Sequence, residues 1–207
     1  MNTKLLAFCL GDGSVNKKYR LSIRHCKEQE EFIRWKREEI LKIFPCSNLS
    51  EGFSGPYPYV QFCTRPTLAN REPFVEIRNK LYPNGIKFFS KEIVDAMDLY
   101  CFAVLYMDDG SLTAKKRNGK VHAYDLNIAV YGEKEECENL IDKLSEYGLK
   151  FTLKFNKNKY SIRCGTKNAR KFLELIEPFC PKFECFKNSK FKLIETDTKA
   201  VYDYFHN

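Results

Sequence analysis

One pattern occurs twice in this chain and limits how it can fold. Leu5-Leu6-Ala7-Phe8-Cys9-Leu10 runs into Gly11-Asp12-Gly13-Ser14, and Phe102-Ala103-Val104-Leu105-Tyr106-Met107 runs into Asp108-Asp109-Gly110-Ser111. Each apolar segment reads as a helix hydrophobic all round, and such a helix is buried. Each ends in an acid, a glycine and a serine, followed by a basic stretch. A carboxylate at the C-terminal end of a helix meets the negative end of the macrodipole and is disfavoured there unless a cation neutralises it. Asp-Gly after a helix is also an ordinary stop signal, with glycine in the left-handed cap. Two copies of the same ending, each leading through lysines into an alternating strand, point instead to two acids brought together to hold metal.

The charge of the chain agrees with such a site acting on a polyanion. Thirty-five basic against 27 acidic residues leave a net charge of +8 over 207 residues. That excess favours a nucleic-acid partner, and it is broader than a binder of acidic metabolites needs. Aromatic residues make up 14%, so the chain is a folded protein and not a basic tail. The nine cysteines form no C-x-x-C pair, and most sit in apolar runs. An odd, buried set of this kind reads as free thiols in a reducing compartment. Met1-Asn2-Thr3-Lys4 leads directly into the first motif, with no signal peptide, and no apolar run reaches the roughly 20 residues that span a bilayer. The expectation is a soluble intracellular protein with no membrane partner.

Between and beyond the motifs the chain repeats an order. Tyr19 to His25 alternates, with Leu21 and Ile23 on one face and Arg20, Ser22 and Arg24 on the other. Lys27 to Phe44 has helical spacing and stops at Pro45; loop signals fill Asn48 to Pro58, and Tyr59 to Cys63 reads as a strand. Glu72 to Tyr82 is a further helix. After the second motif, Lys115, Lys116, Arg117 and Lys120 surround a hairpin tip at Asn118-Gly119. Tyr124 to Tyr131 alternates, with Leu126, Ile128 and Val130 inward; Glu133 to Tyr147 is helical. A hairpin of Lys150 to Phe155 and Tyr160 to Cys164 and a helix over 167–177 complete the series. An internal duplication of about 100 residues accounts for this order. It divides the chain into halves 1–95 and 96–207 which, with no low-complexity linker, are expected to share one core.

Ala7 and Ala103 would let the two motif helices pack side by side across a pseudo-twofold, bringing Asp12 and Asp109 together. Two carboxylates so placed repel unless divalent cations bridge them. Oxygen ligands favour Mg²⁺ over zinc. Metal beside a phosphodiester activates water and stabilises the leaving oxygen, which predicts a nuclease.

Ala103-Val104-Leu105-Tyr106-Met107-Asp108-Asp109-Gly110 resembles the signature of the LAGLIDADG homing endonucleases, in their single-chain, two-motif, intron-encoded form. Leu6 to Gly13 resembles it more loosely, with Leu10 where the name-giving pattern has an acid. The resemblance runs from residue 5 to about residue 190. It implies an α+β fold in which a duplicated αββαββα unit carries two saddle-shaped antiparallel sheets that straddle DNA. It implies a site-specific, magnesium-dependent endonuclease working as a monomer on double-stranded DNA with a long recognition site. Two or three divalent cations are implied, with Mn²⁺ able to substitute.

By the same resemblance Asp12 and Asp109 are the paired catalytic metal ligands, assisted by the backbone carbonyls of Gly11 and Asp108. The Asp108 side chain reads as incidental, and His25 as structural. Lys87, in Gly85-Ile86-Lys87-Phe88-Phe89, and Lys187, in the stretch from Pro178, resemble lysines that reach the active site. They would orient water or stabilise developing charge. Base contacts are implied for Arg20, Ser22, Arg24, Tyr59, Gln61, Asn127, Lys150, Thr152, Lys154, Ser161 and Arg163, and phosphate contacts for Lys17, Lys18, Lys115, Lys116, Arg117, Lys157 and Lys159. Rival readings keep the fold: a maturase that binds intron RNA, or a DNA-binding regulator that does not cut. An organelle and a bacterial or phage cytoplasm both suit the composition.

Overall fold

The first motif segment folds as helix α1 (Thr3–Leu10), opened by the Asn2 side chain, which accepts a hydrogen bond from the Leu5 backbone N–H at 2.9 Å. The second folds as α5 (Leu99–Asp109), where the Asp98 carboxylate accepts from the Cys101 N–H at 2.9 Å. Leu5 to Leu10 and Cys101 to Met107 are buried without a break, as helices apolar all round require. The two helices pack against each other, and Ala7 and Ala103 lose all their surface.

The computed structural model describes residues 1–156, 158–183, 186 and 190–195. Its path divides into a unit of Met1–Asp109 and a second unit that begins at Gly110. The boundary therefore falls after α5, which packs with the first unit through α1.

In the first unit, β1 (Ser14–Val15), β2 (Leu21–Cys26), β3 (Ser50–Ser54) and β4 (Tyr57–Cys63) form an antiparallel sheet in the order β1-β2-β4-β3. Leu21, Ile23, Val60 and Phe62 face inward, where α2 (Glu30–Leu41) covers β2 and β4. A short 3₁₀ turn, Lys27–Gln29, leads into α2. Helix α3 (Glu72–Leu81) buries Phe74, Ile77 and Leu81, and α4 (Lys91–Asp95) is capped by Ser90. Strand β3 lies inside the stretch that the sequence marks as loop. It shows no apolar alternation and is held by backbone pairing to β4, from Ser50 opposite Gln61 to Ser54 opposite Tyr57.

The second unit repeats the topology. β5 (Gly110–Arg117), β6 (Lys120–Gly132), β7 (Thr152–Asn156) and β8 (Lys159–Gly165) run in the order β5-β6-β8-β7, all antiparallel. Helices α6 (Lys134–Glu146) and α7 (Thr166–Ile176) pack on this sheet, against a face that buries Leu126, Ile128, Ile162 and Cys164. The β5–β6 hairpin turns through Asn118 (φ 50°) and Gly119 (φ 77°), the doubly left-handed turn that matches strand twist. Alternation in β6 stops at Ile128, where the register with β8 shifts; Val130 is only half-buried and Tyr131, at φ 50°, is exposed. Beyond α7 come a 3₁₀ turn (Glu177–Phe179) and the short α8 (Lys192–Glu195). The architecture is α+β with two four-stranded antiparallel sheets. Among the described residues, no helix is long and apolar enough to cross a membrane.

Candidate metal centre

The two motif helices end in complementary shapes. Gly11, which closes α1, has no side chain, and the Asp108 side chain fills the space where a Cβ would stand. A Cβ built on Gly11 would collide with the Oδ2, Cβ and Cγ of Asp108. Asp108 Oδ2 accepts the backbone N–H of Asp12 at 3.1 Å. Its other oxygen is ion-paired with the Lys36 ammonium, and both side chains are fully buried, at 0% exposure. The Asp12 carboxylate is 42% exposed by contrast.

His25 joins the same cluster. Its Nε2 lies 3.0 Å from Lys36 Nζ and 3.9 Å from Asp108 Oδ1. Its Nδ1 lies 2.9 Å from Gln29 Oε1 and 3.3 Å from Asp12 Oδ2. An ammonium offers protons and no lone pair, so Nε2 must accept and the ring proton sits on Nδ1. This tautomer is assigned from the bonding pattern. The Phe32 ring closes the cluster beneath, 4.3 Å from Lys36 Nζ and 4.9 Å from the imidazole.

Local sequence explains both placements. The alternation of β2 carries His25 to the inner face with Leu21 and Ile23. In α2, Phe32, Lys36 and Ile40 are spaced by four and share the buried stripe. Helical spacing alone marks α2 as a packing helix; the structure adds a buried ammonium on its inner face. The signal was present: a lysine standing midway between two apolar residues of a helix face. His25, read as structural, and the Asp108 side chain, read as incidental, both sit in this buried cluster.

Lys87 reaches the end of α1 from the loop before α4. Its Nζ donates to the carbonyls of Leu10 (2.9 Å), Gly11 (2.5 Å) and Gly13 (2.9 Å). The first two are carbonyls that the helix end leaves without an intrahelical partner, and the third belongs to the turn beyond it. Burial pushes the Lys87 ammonium below the usual lysine range, opposed by Cys9 and by the charges of Asp109, Asp108 and Asp12. Burial also raises the neighbouring Cys9 thiol to about 12, against a smaller pull from Lys87.

Among the described residues, the metal-type donors that converge are Asp12, His25 and Asp108, whose ligand atoms lie within 4.8 Å of one another. Asp109, the last residue of α5, is half-buried. Lys157 and Lys187 lie outside the described residues.

The outer face of the first sheet carries Arg24, Gln61 and Tyr59. The Arg24 guanidinium lies 4.0 Å over the Tyr59 ring, and its Nη2 donates to Gln61 Oε1 at 3.1 Å. Ser22 accepts from Cys63 Sγ at 3.5 Å, and Lys17, Lys18 and Arg20 are exposed. On the second sheet, Asn127, Arg163 and Thr152 form a cross-strand row. Asp125 lies 3.6 Å from Lys115 and 3.9 Å from Arg163. Lys159 pairs with Glu133 at 2.8 Å. Lys116, Arg117 and Lys150 are exposed and Lys154 half-exposed. Ser161 departs from the open position expected of it: it is buried and donates to Asn127 Oδ1 at 3.0 Å and to the Lys154 carbonyl at 3.4 Å.

The fold is shared with solved structures. The homing endonuclease I-WcaI bound to its DNA recognition sequence matches with a TM-score of 0.73 at 23% identity, over 91% of this chain and 84% of that one. The LAGLIDADG meganuclease I-AabMI bound to uncleaved DNA matches at 0.57 and 13%, over 99% and 92%. The N-terminal LAGLIDADG domain of DUF199/WhiA matches at 0.52 and 18%, over 90% and 84%. Among curated proteins, Protein RecA of Mycolicibacterium flavescens is 25% identical over 197 residues, 84% of this chain and 43% of that protein. Uncharacterized protein MJ1098 of Methanocaldococcus jannaschii is 33% identical over 113 residues, 53% of this chain and 42% of that one. The chain thus spans less than half the length of these curated relatives. The model of the LAGLIDADG DNA endonuclease family matches residues 6–172, a span that holds most of α1, Asp12, the whole of α5 and both sheets, and the chain belongs to that family.

Proposed function

We propose that this chain is a site-specific double-strand DNA endonuclease that works as a monomer in a reducing compartment. In this reading Asp12 and Asp109 hold divalent metal, each acid serving one strand. One observation carries the reading: the Asp12 carboxylate, 42% exposed, opens to solvent just past a helix that is buried from Leu5 to Leu10, with the Lys87 ammonium on the carbonyls of Gly11 and Gly13 to either side of it. Carboxylate and carbonyl oxygens suit Mg²⁺, and Mn²⁺ can take the same donors. Metal bound there would lower the pKa of a water and neutralise charge on the leaving oxygen.

The chain's own residues set the stage. Asp12 and Asp109 would supply carboxylate oxygens, with the Gly11 and Asp108 carbonyls as further donors. The Lys87 ammonium already holds the Gly11 carbonyl at 2.5 Å and adds positive charge beside the scissile phosphate. Lys187 is proposed for the same role in the second half. Arg24, Gln61, Tyr59, Asn127, Arg163 and Thr152 would face bases, while Lys115, Lys116 and Arg117 on their hairpin would meet phosphates.

The test is selection from a randomised duplex library with Mg²⁺, comparing the wild type with Asp12→Asn and Asp109→Asn. Cut molecules sharing one long site, lost in both variants, are the expected outcome. Binding without cutting by any of the three proteins would refute the nuclease reading and move the search to intron RNA or to a regulator.

A further inference from the structure

The Lys36 ammonium bonds two polar groups, and each leads to Asp12. Along one arm, Lys36 holds the Asp108 carboxylate, and Asp108 Oδ2 accepts the Asp12 backbone N–H at 3.1 Å. Along the other, Lys36 Nζ occupies His25 Nε2 at 3.0 Å, which leaves the ring proton on Nδ1, where it meets Gln29 Oε1 at 2.9 Å and turns the same ring edge to Asp12 Oδ2 at 3.3 Å. One arm holds the backbone N–H of Asp12, and the other sets the ring edge of His25 that its carboxylate faces. Both start from a side chain with no solvent exposure, on a helix packed into the core. An exposed carboxylate on a turn is otherwise free to rotate, and a ligand that rotates loses geometry.

We infer that Lys36 is a positioning residue for Asp12, acting through Asp108 and through the tautomer of His25. The inference rests on the nuclease reading for its effect on cleavage, though not for its effect on the imidazole. Both arms end on the first-motif acid, so the consequence is unequal between strands. With Lys36 removed, the strand served by Asp12 is cut roughly 10- to 100-fold more slowly, the usual cost of losing the partners that orient a ligand. The strand served by Asp109 is cut at close to the original rate, and nicked duplex accumulates.

The experiment uses the full chain as wild type, Lys36→Met, Lys36→Arg and the double variant Lys36→Met with Asp108→Asn. The double variant removes both buried charges together and so retains the fold if the single variant does not. Two readouts are taken. Long-range ¹⁵N NMR of the imidazole, with His25→Gln to assign it among the chain's three histidines, reports which ring nitrogen carries the proton at fixed pH. Strand-labelled duplex carrying the selected site reports the two nicking rates separately.

The wild type is expected to show protonated Nδ1 and bare Nε2. The double variant is expected to lose that preference and to accumulate duplex nicked in one strand, and Lys36→Arg to restore part of both. A wild type with Nε2 protonated, or a double variant with unchanged tautomer and equal nicking, overturns the inference. If the wild type cuts no duplex at all, the nuclease reading fails, and the tautomer measurement alone decides whether Lys36 sets His25.

Discussion

Lys36 and Asp108 form a buried pair whose members depend on each other. Removing one partner leaves an uncompensated charge in the core, at a cost of about 3–5 kcal/mol, whereas neutralising both costs far less. Lys36→Met is therefore expected to lower the urea midpoint sharply, and Lys36→Met with Asp108→Asn to recover most of the loss. Equal destabilisation in the two variants would show that the pair is not coupled. Cys9 supports a second prediction at this scale. Its folded pKa, raised to about 12, lies above the ordinary thiol value near 9, so the folded protein holds the proton more tightly than the unfolded chain. That contribution is complete below pH 9 and falls as pH rises toward 12, by up to about 1.4 kcal/mol per pH unit. In Cys9→Ala the loss of stability between pH 8 and pH 11 should be shallower than in wild type, as urea titrations at each pH will show. Asp12 and Asp109 stand out in the sequence as proposed ligands because an acid ending an apolar helix is costly. Lys36 does not stand out, because a charged residue in an amphipathic helix looks solvated until a buried carboxylate is known to face it.

At the scale of elements, α1 and α5 were legible from composition alone, since an apolar run of that length has only the core to occupy. Small residues set how closely they approach. Ala103 is fully buried, and Ala103→Leu adds three carbons to a packed core. It should destabilise by about 1–3 kcal/mol and displace Asp108 and Asp109 at the helix end. The check is a thermal melt beside the NMR shift of His25, which should move with Asp108. A stable variant with an unmoved imidazole would mean that the helices have slack. Strand β3 shows where pattern reading ends. Ser50 to Ser54 carries Ser, Glu and Gly at positions where a strand usually shows branched or aromatic residues, so its pairing with β4 comes from backbone bonds that no side-chain period announces. The β6 alternation failed for a related reason, because the register shift after Ile128 inserts residues that no hydrophobic period marks.

For the molecule as a whole, a net charge of +8 predicts binding to duplex DNA that weakens steeply with salt. The slope of log affinity against log salt should be about −0.9 per phosphate contacted. Replacing Lys115, Lys116 and Arg117 together by alanine should make it shallower by up to about 3, with the selected sequence unchanged. A slope that stays put while the selected sequence changes would move that hairpin from phosphate to base contact. The repeated order of elements led to the expectation of a duplication, and the two sheets share the same strand order. Identical topology has not preserved interchangeable motif ends. Two copies of the first motif would set glycine against glycine and bury the Lys36 ammonium with no carboxylate to meet it. Two copies of the second would crowd a pair of aspartate side chains into space for one. An arrangement of identical subunits needs a self-complementary contact, and neither motif now supplies one. Neither motif end can therefore serve a pair of identical half-chains, and engineered half-chains should assemble only when one of each kind is supplied.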